Sequence, residues 1–113
     1  MKMLKAFIRL DKVDDVIRAL KSARAPGITV SRVHGVGYGY DPVFTMSPQE
    51  LPKTQDVAKV EIACCAADVD RLLETLLDGA RTGCQGDGIV FVIPVERAVR
   101  IRTGEEGREV LVT

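Results

Sequence analysis

Net charge is the first thing this chain lacks. Its 16 basic and 16 acidic residues cancel, so there is no overall positive field to hold a nucleic acid, and any anion site must be local. Long apolar runs are missing too. No segment approaches the ~20 residues of a membrane-spanning helix. The opening residues alternate instead of forming a charged-then-apolar leader. The chain therefore reads as cytoplasmic, with no direct membrane insertion. Histidine occurs once, as His34, and tryptophan not at all. No serine or cysteine nucleophile stands in a recognisable arrangement with that histidine, and no HExxH or paired-cysteine motif is present. Asp14-Asp15 and Glu105-Glu106 are sequence neighbours, which point apart on a helix or strand, so neither pair makes a catalytic dyad. These gaps argue against an enzyme. The three cysteines, Cys64, Cys65 and Cys84, are an odd number without metal-ligand spacing, and no metal site is expected. Cys64 and Cys65 read as small buried residues of a strand, while Cys84, in a glycine-rich loop, leaves a redox role open.

What is present fits one domain over residues 1–113. A chain of this length buries roughly 60–70% of its unfolded surface. That makes one core and leaves little room for a deep private site, so a site between subunits is favoured.

Residues 3–10 alternate Leu4, Ala6 and Ile8 against Lys5, Phe7 and Arg9, the period of a strand. Asp11 offers an N-cap oxygen, and Val13, Val16, Ile17 and Leu20 follow at helical spacing over residues 12–24. Ala25-Pro26-Gly27 stops that helix. Residues 28–36 form a second strand. From Gly37 to about Lys53 no period survives, and a loop this long is more often functional than structural. Residues 57–65 resume as a strand. Asp68 is a plausible cap for a helix striped by Val69, Leu72, Leu73, Leu76, Leu77 and Ala80. A glycine-rich loop then leads into an apolar strand, which Pro94 should confine to an edge or end. The order strand–helix–strand–loop–strand–helix–strand predicts an α+β, ferredoxin-like βαββαβ sandwich, with two helices on one face of a four-stranded antiparallel sheet. The other face needs a cover, and another subunit is the expected one.

Three elements favour an anion. Gly83, Gly86 and Gly88 let backbone N–H groups approach one closely, although the loop precedes a strand and is no Walker loop. Arg100 and Arg102 alternate in a segment read as extended, which would aim both guanidiniums to one side, suited to phosphate or carboxylate. Salt bridges to Glu96, Glu105 or Glu106 are the plain alternative. Gly35 and Gly37 open the long loop. Together they suggest a bound nucleotide.

The run TGCQGDGIVFVIPVERAVRIRTGE, residues 82–105, resembles the C-terminal signature of the PII signal-transduction family. MKMLKAFIRLDKVDDVIRAL and GITVSRVHGVG resemble that family's opening strand and helix and its second strand. The resemblance implies a homotrimer binding an adenine nucleotide (ATP, ADP or AMP) in clefts between subunits. It implicates Thr29, Gly35 and Gly37 on one wall, Ala63 at the adenine end, Gly86, Asp87 and Gly88 as loop amides, and Arg100 and Arg102 as positive charge from a neighbour. It also implies a T-loop at about 38–54, with Tyr38, Tyr40 and Asp41 near its base, that signals to a membrane transporter or metabolic enzyme of nitrogen or carbon metabolism. The C-terminal tail is 96–113.

The resemblance breaks at defined positions. Tyr38-Gly39 stands where the family usually has Arg-Gln. Cys84 and Ile89 stand where its glycine loop has lysines. The lysine that usually pairs with 2-oxoglutarate before the third strand falls, by register, on Val57. Losing phosphate-side cations should weaken a triphosphate more than a mono- or diphosphate, each charged contact being worth about 1.5–3 kcal/mol. A 2-oxoglutarate response is not expected, and magnesium is left open. The alternatives are a small-anion (bicarbonate) or metal-responsive trimer of the same architecture, or, remotely, a slow nucleotide hydrolase.

Overall fold

The computed structural model describes residues 1–35 and 56–111. In chain order the elements are β1 (Lys2–Arg9), α1 (Val13–Ser22), β2 (Thr29–His34), β3 (Asp56–Cys64), α2 (Val69–Ala80) and β4 (Ile89–Pro94), with 3-10 turns at Leu10–Lys12, Ala66–Asp68 and Arg108–Leu111. The strands form one antiparallel sheet in the order β2-β3-β1-β4. This is the α+β, ferredoxin-like arrangement that the pattern predicts.

Alternation decides which side of the sheet is core. In β1, Leu4, Ala6 and Ile8 are buried, while the residues between them are only partly so. Directly opposed residues of an antiparallel ladder share a face. Leu4 faces Ile62 and Val92, and Ala6 faces Val60 and Val90, so the apolar set runs across the sheet. Both helices cover that face. Val16 and Leu20 of α1 and Leu72, Leu76 and Ala80 of α2 join the same cluster. Leu4, Ile8, Leu20, Ile62, Leu72 and Leu76 are fully buried, and such a side chain contributes about 1.5–3 kcal/mol. The helices meet at Gly79, where an added Cβ would come within 3.3 Å of Val16 Cγ2.

The opposite face carries Met3, Lys5, Phe7 and Arg9 of β1 beside Ile89, Phe91 and Ile93 of β4, by the same register. Phe7 and Phe91 pack edge to face, with ring centroids 6.3 Å apart. Neither α1 nor α2 covers this side, and Phe91 and Ile93 are among the exposed large apolar residues. β4 is an edge strand and Pro94 is its last residue, so both outcomes expected of that proline occur together.

Helix entry differs from the sequence reading. Asp11 does not cap α1. Leu10–Lys12 form a 3-10 turn, Lys12 occupies the N-cap position, and no side chain caps the helix. Leu10 packs against the core, which commits the turn to it and leaves Asp11 exposed. Asp68 does sit at the N-cap of α2 but makes no capping bond. Its carboxylate accepts from Arg71 Nη2–H at 3.1 Å instead.

The exit of α1 is a Schellman motif. Ala25 N–H donates to Leu20 O and Arg24 N–H to Lys21 O, both at 3.0 Å. The motif needs a left-handed residue, and here it is Arg24, at φ 62°. That conformation costs a side-chain-bearing residue about 1–2 kcal/mol, and glycine gives back part of the gain as chain entropy. Arg24→Gly is therefore expected to stabilise the fold by about 0.5–1 kcal/mol. A urea-denaturation midpoint that stays put or falls would contradict this.

No helix among the described residues is long and apolar enough to cross a membrane.

Candidate functional site

Strand order decides where the candidate residues lie. β2 and β4 are the two edges, with β3 and β1 between them. At about 4.8 Å per strand spacing the edges stand about 14 Å apart. Strand direction sets the rest. β2 ends, β3 begins and β4 begins at the end of the sheet where β1 finishes. Gly35, the start of β3 and the glycine loop therefore share one end.

At the other end, on the uncovered face, a cavity of about 370 Å³ is lined by Met3, Thr29, Glu61, Ala63, Val110 and Leu111 among others. The structure thus brings together two of the sequence candidates, Thr29 and Ala63. Thr29 sits directly across from Glu61 in the β2–β3 ladder. Sequence reasoning passed over Val110 and Leu111. The available signal was a short apolar run in an otherwise charged tail.

The arginine segment is the largest correction. Arg100 and Arg102 are not on an extended strand with side chains aimed one way. Gly104 N–H donates to Arg100 O and Arg100 N–H to Glu105 O, each at 2.8 Å, and Val99 bridges Glu106. The segment is a hairpin whose turn spans residues 101–103. Gly104, at φ 75°, supplies the left-handed step that closes it. Arg100 Nη1 lies 3.5 Å from Glu105 Oε1, so the plain salt-bridge alternative is realised for that residue. Glu106 pairs with Arg97 instead, and the two glutamates do diverge as expected. Arg102 is exposed on the turn. The hairpin base and the cavity are close: Gly107 N–H donates to Ala98 O, and Val110 N–H donates to Gly107 O, each at 3.2 Å.

Gly35 is buried at the end of β2. Just before it, Asp56 clasps two residues of β2. Its Oδ2 accepts from Arg32 Nε–H at 2.6 Å, and its Oδ1 lies 2.5 Å from His34 Nδ1. Gly37, Tyr38, Tyr40, Asp41 and Lys53 lie outside the described residues.

The glycine loop begins right after α2. Gly83, Gly86 and Gly88 all take positive φ, at 85°, 101° and 98°, a conformation that glycine adopts without a Cβ penalty. Asp87, expected only as a backbone donor, turns its side chain inward to the loop. Its carboxylate accepts from Arg9 Nε–H (2.8 Å), Thr82 N–H (2.8 Å), Gly83 N–H (2.9 Å) and the Thr82 hydroxyl. The Arg9 guanidinium, followed by the Thr82 and Gly83 donors, holds this carboxyl well below the usual carboxylate range, and the pair raises Arg9 in turn. Gly86, Asp87 and Gly88, three of the sequence candidates, thus lie together in this loop.

Cys64 is buried, Cys65 half-buried and Cys84 exposed, all as free thiols. Burial, helped by Asp68, pushes the Cys64 thiol up, the behaviour of an inert core cysteine.

One chain therefore holds a cavity and an arginine hairpin at one end of its sheet, and a glycine loop at the opposite edge of the other end. Among known proteins, residues 1–105 match the family described as nitrogen regulatory protein P-II. The nitrogen regulatory protein GlnK2 of Haloferax mediterranei is 38% identical over 111 residues, covering 96% of this chain and 89% of that protein. The nitrogen regulatory protein P-II 2 of Methanothermobacter thermautotrophicus is 39% identical over 114 residues, covering 96% of each. The nitrogen regulatory protein P-II of Synechocystis is 40% identical over 113 residues, covering 98% of this chain and all of that protein. By these likenesses the chain belongs to the P-II family of nitrogen regulatory proteins.

Proposed function

We propose that this chain is a cytoplasmic regulator rather than an enzyme, and that it binds an adenine nucleotide in clefts between the subunits of a homotrimer. The observation that carries this reading is the division of the site. Thr29, Ala63 and the arginine hairpin lie at one end of the sheet, and the glycine loop lies at the far edge of the other. A single copy cannot close all of them on one small molecule. Copies placed edge to edge can, and the uncovered face with Phe7, Phe91 and Ile93 gives such copies something to bury. The adenine belongs in the cavity beside Thr29 and Ala63, the phosphates at the amides of Gly86, Asp87 and Gly88, and Arg100 and Arg102 supply charge. The loop at 38–54 carries the signal to a membrane transporter or metabolic enzyme.

The cations that this chain lacks set its preference. Ile89 opens β4 beside the glycine loop and brings no charge, and Tyr38 and Gly39 bring none to the loop base. ADP and AMP should bind about as well as ATP, and 2-oxoglutarate should add nothing with magnesium and ATP. Calorimetric titration with ATP, ADP, AMP, 2-oxoglutarate and bicarbonate tests this, with light scattering for the trimer. Arg100→Ala and Arg102→Ala are each expected to weaken nucleotide binding by about 1.5–3 kcal/mol with the trimer intact. A monomer at micromolar concentration, wild-type protein that binds no nucleotide, or two arginine variants with unchanged affinity would each overturn the corresponding part. Micromolar 2-oxoglutarate binding that appears only with magnesium-ATP would overturn the preference.

A further inference from the structure

The side chain that fixes the glycine loop comes from outside it. Arg9, the last residue of β1, donates through Nε–H to Asp87 Oδ1 at 2.8 Å and through Nη2–H to Gln85 O at 2.7 Å. A guanidinium is a rigid planar fork that holds two acceptors at a set spacing, which an ammonium cannot do. Asp87 passes the constraint back to the start of the loop through Thr82 and Gly83. Gly86 and Gly88 stand between and beside these anchors at positive φ, conformations that glycine adopts freely and holds loosely. Nothing in a glycine itself selects where its N–H points, so the direction of these amides depends on the anchors and, at Gly88, also on its close packing against the Phe7 carbonyl.

We propose that Arg9 is a positioning residue, which by gripping Asp87 and the Gln85 carbonyl aims the backbone amides of Gly86, Asp87 and Gly88 at a phosphate. The inference rests on the reading of this loop as the phosphate end of a nucleotide site. Its partner Asp87 separates positioning from simple charge. A carboxylate near a phosphate repels it, so on charge alone Asp87→Asn should tighten binding of phosphorylated ligands. An asparagine amide cannot accept from Arg9, Thr82 and Gly83 together, because half of it donates. On positioning, the same variant loosens the loop and weakens binding.

The test titrates the wild type, Arg9→Met, Arg9→Lys and Asp87→Asn with adenosine and with ADP, with melting curves and light scattering as checks on fold and assembly. Adenosine, which has no phosphate, should bind all four proteins alike. ADP affinity should fall about ten- to a hundredfold in Arg9→Met and in Asp87→Asn. Arg9→Lys should recover only part of the loss, because it restores charge and not the fork. The double variant Arg9→Met/Asp87→Asn should be no worse than either single one, as expected of two parts of one brace. Asp87→Asn is nearly isosteric and carries the test if Arg9→Met proves unstable. ADP affinity that is unchanged or raised in Asp87→Asn, or equal losses for adenosine and ADP, overturns the proposal while leaving the nucleotide reading in place. A wild-type protein that binds neither ligand overturns that reading, and this inference with it.

Discussion

Gly88→Ala is expected to destabilise the protein by about 3 kcal/mol or more, because two costs coincide at one position. The first is conformational. Gly88 sits at φ 98°, which a side chain rarely tolerates. The second is steric. A Cβ built there would lie 1.7 Å from the carbonyl oxygen of Phe7 and 2.8 Å from its carbon. Both are backbone atoms of the central strand, so no flexible side chain can move aside. Either the loop lifts off or the first rung of the β1–β4 ladder, Phe7 with Ile89, opens. Gly83→Ala isolates the first cost. Gly83 also has positive φ, at 85°, but a Cβ added there would meet nothing within 4 Å, and about 1–2 kcal/mol is expected. Guanidinium denaturation of both variants measures the difference. Equal losses would mean that the tight contact with Phe7 contributes nothing.

Phe7→Asp should convert the proposed trimer to folded monomers and abolish the proposed nucleotide binding. Phe7 lies on the face away from the helices, in edge-to-face contact with Phe91 and opposite Ile89. In a single copy an aspartate there can reach water, so α1, α2 and the core beneath are left as they are. Between copies the same carboxylate would be drawn out of water next to Ile89 and Phe91, while its cross-strand neighbour Lys59 is already paired with Glu61 at 3.6 Å, so its burial is expected to cost several kcal/mol per copy. If the proposed trimer is right, light scattering should report a monomer at concentrations where the wild type assembles, and the melting transition should persist. Calorimetry should show no heat with ADP, because the glycine loop and the cavity beside Thr29 and Ala63 can no longer meet. A Phe7→Asp protein that stays trimeric would place the interface elsewhere.

The elements were legible where one local force dominates. Period-two alternation gave β1 its faces, and the leucine stripe gave α2. Pro94 cannot donate to a ladder and ended β4 where it stood. The reading failed where two local signals competed. Arg100-Ile101-Arg102 alternates like a strand, but Gly104 offers a left-handed step, and the turn wins because Arg100 and Glu105 can then bond across it. Asp11 is a good capping residue type, yet the apolar Leu10 before it is drawn to the core and forms a 3-10 turn first. The glycine loop itself was readable from spacing. Its brace was not, because Arg9 and Asp87 are 78 positions apart and meet only once β1 and β4 pair. The clasp of Arg32 and His34 on Asp56 was hidden for the same reason: it exists only across two strands in register.

The strand order has a kinetic consequence. β1 is the first of the four strands to leave the ribosome, yet it lies inside the sheet, between β3 and β4. Its partners lie far downstream, with Ile89 pairing back to Phe7. At roughly 5–20 residues per second, Leu4, Ala6 and Ile8 wait several seconds before both neighbours exist. Until β3 emerges β1 has two open edges and an apolar face, and one edge stays open until β4 follows. Ladders between such distant segments also make folding slow for a chain of this size, since the loop must close before any contact rewards it. The vulnerable species is thus the nascent chain that has not yet reached Ile89, and a holdase that grips alternating apolar segments would find its first target at a strand that ends up inside the sheet.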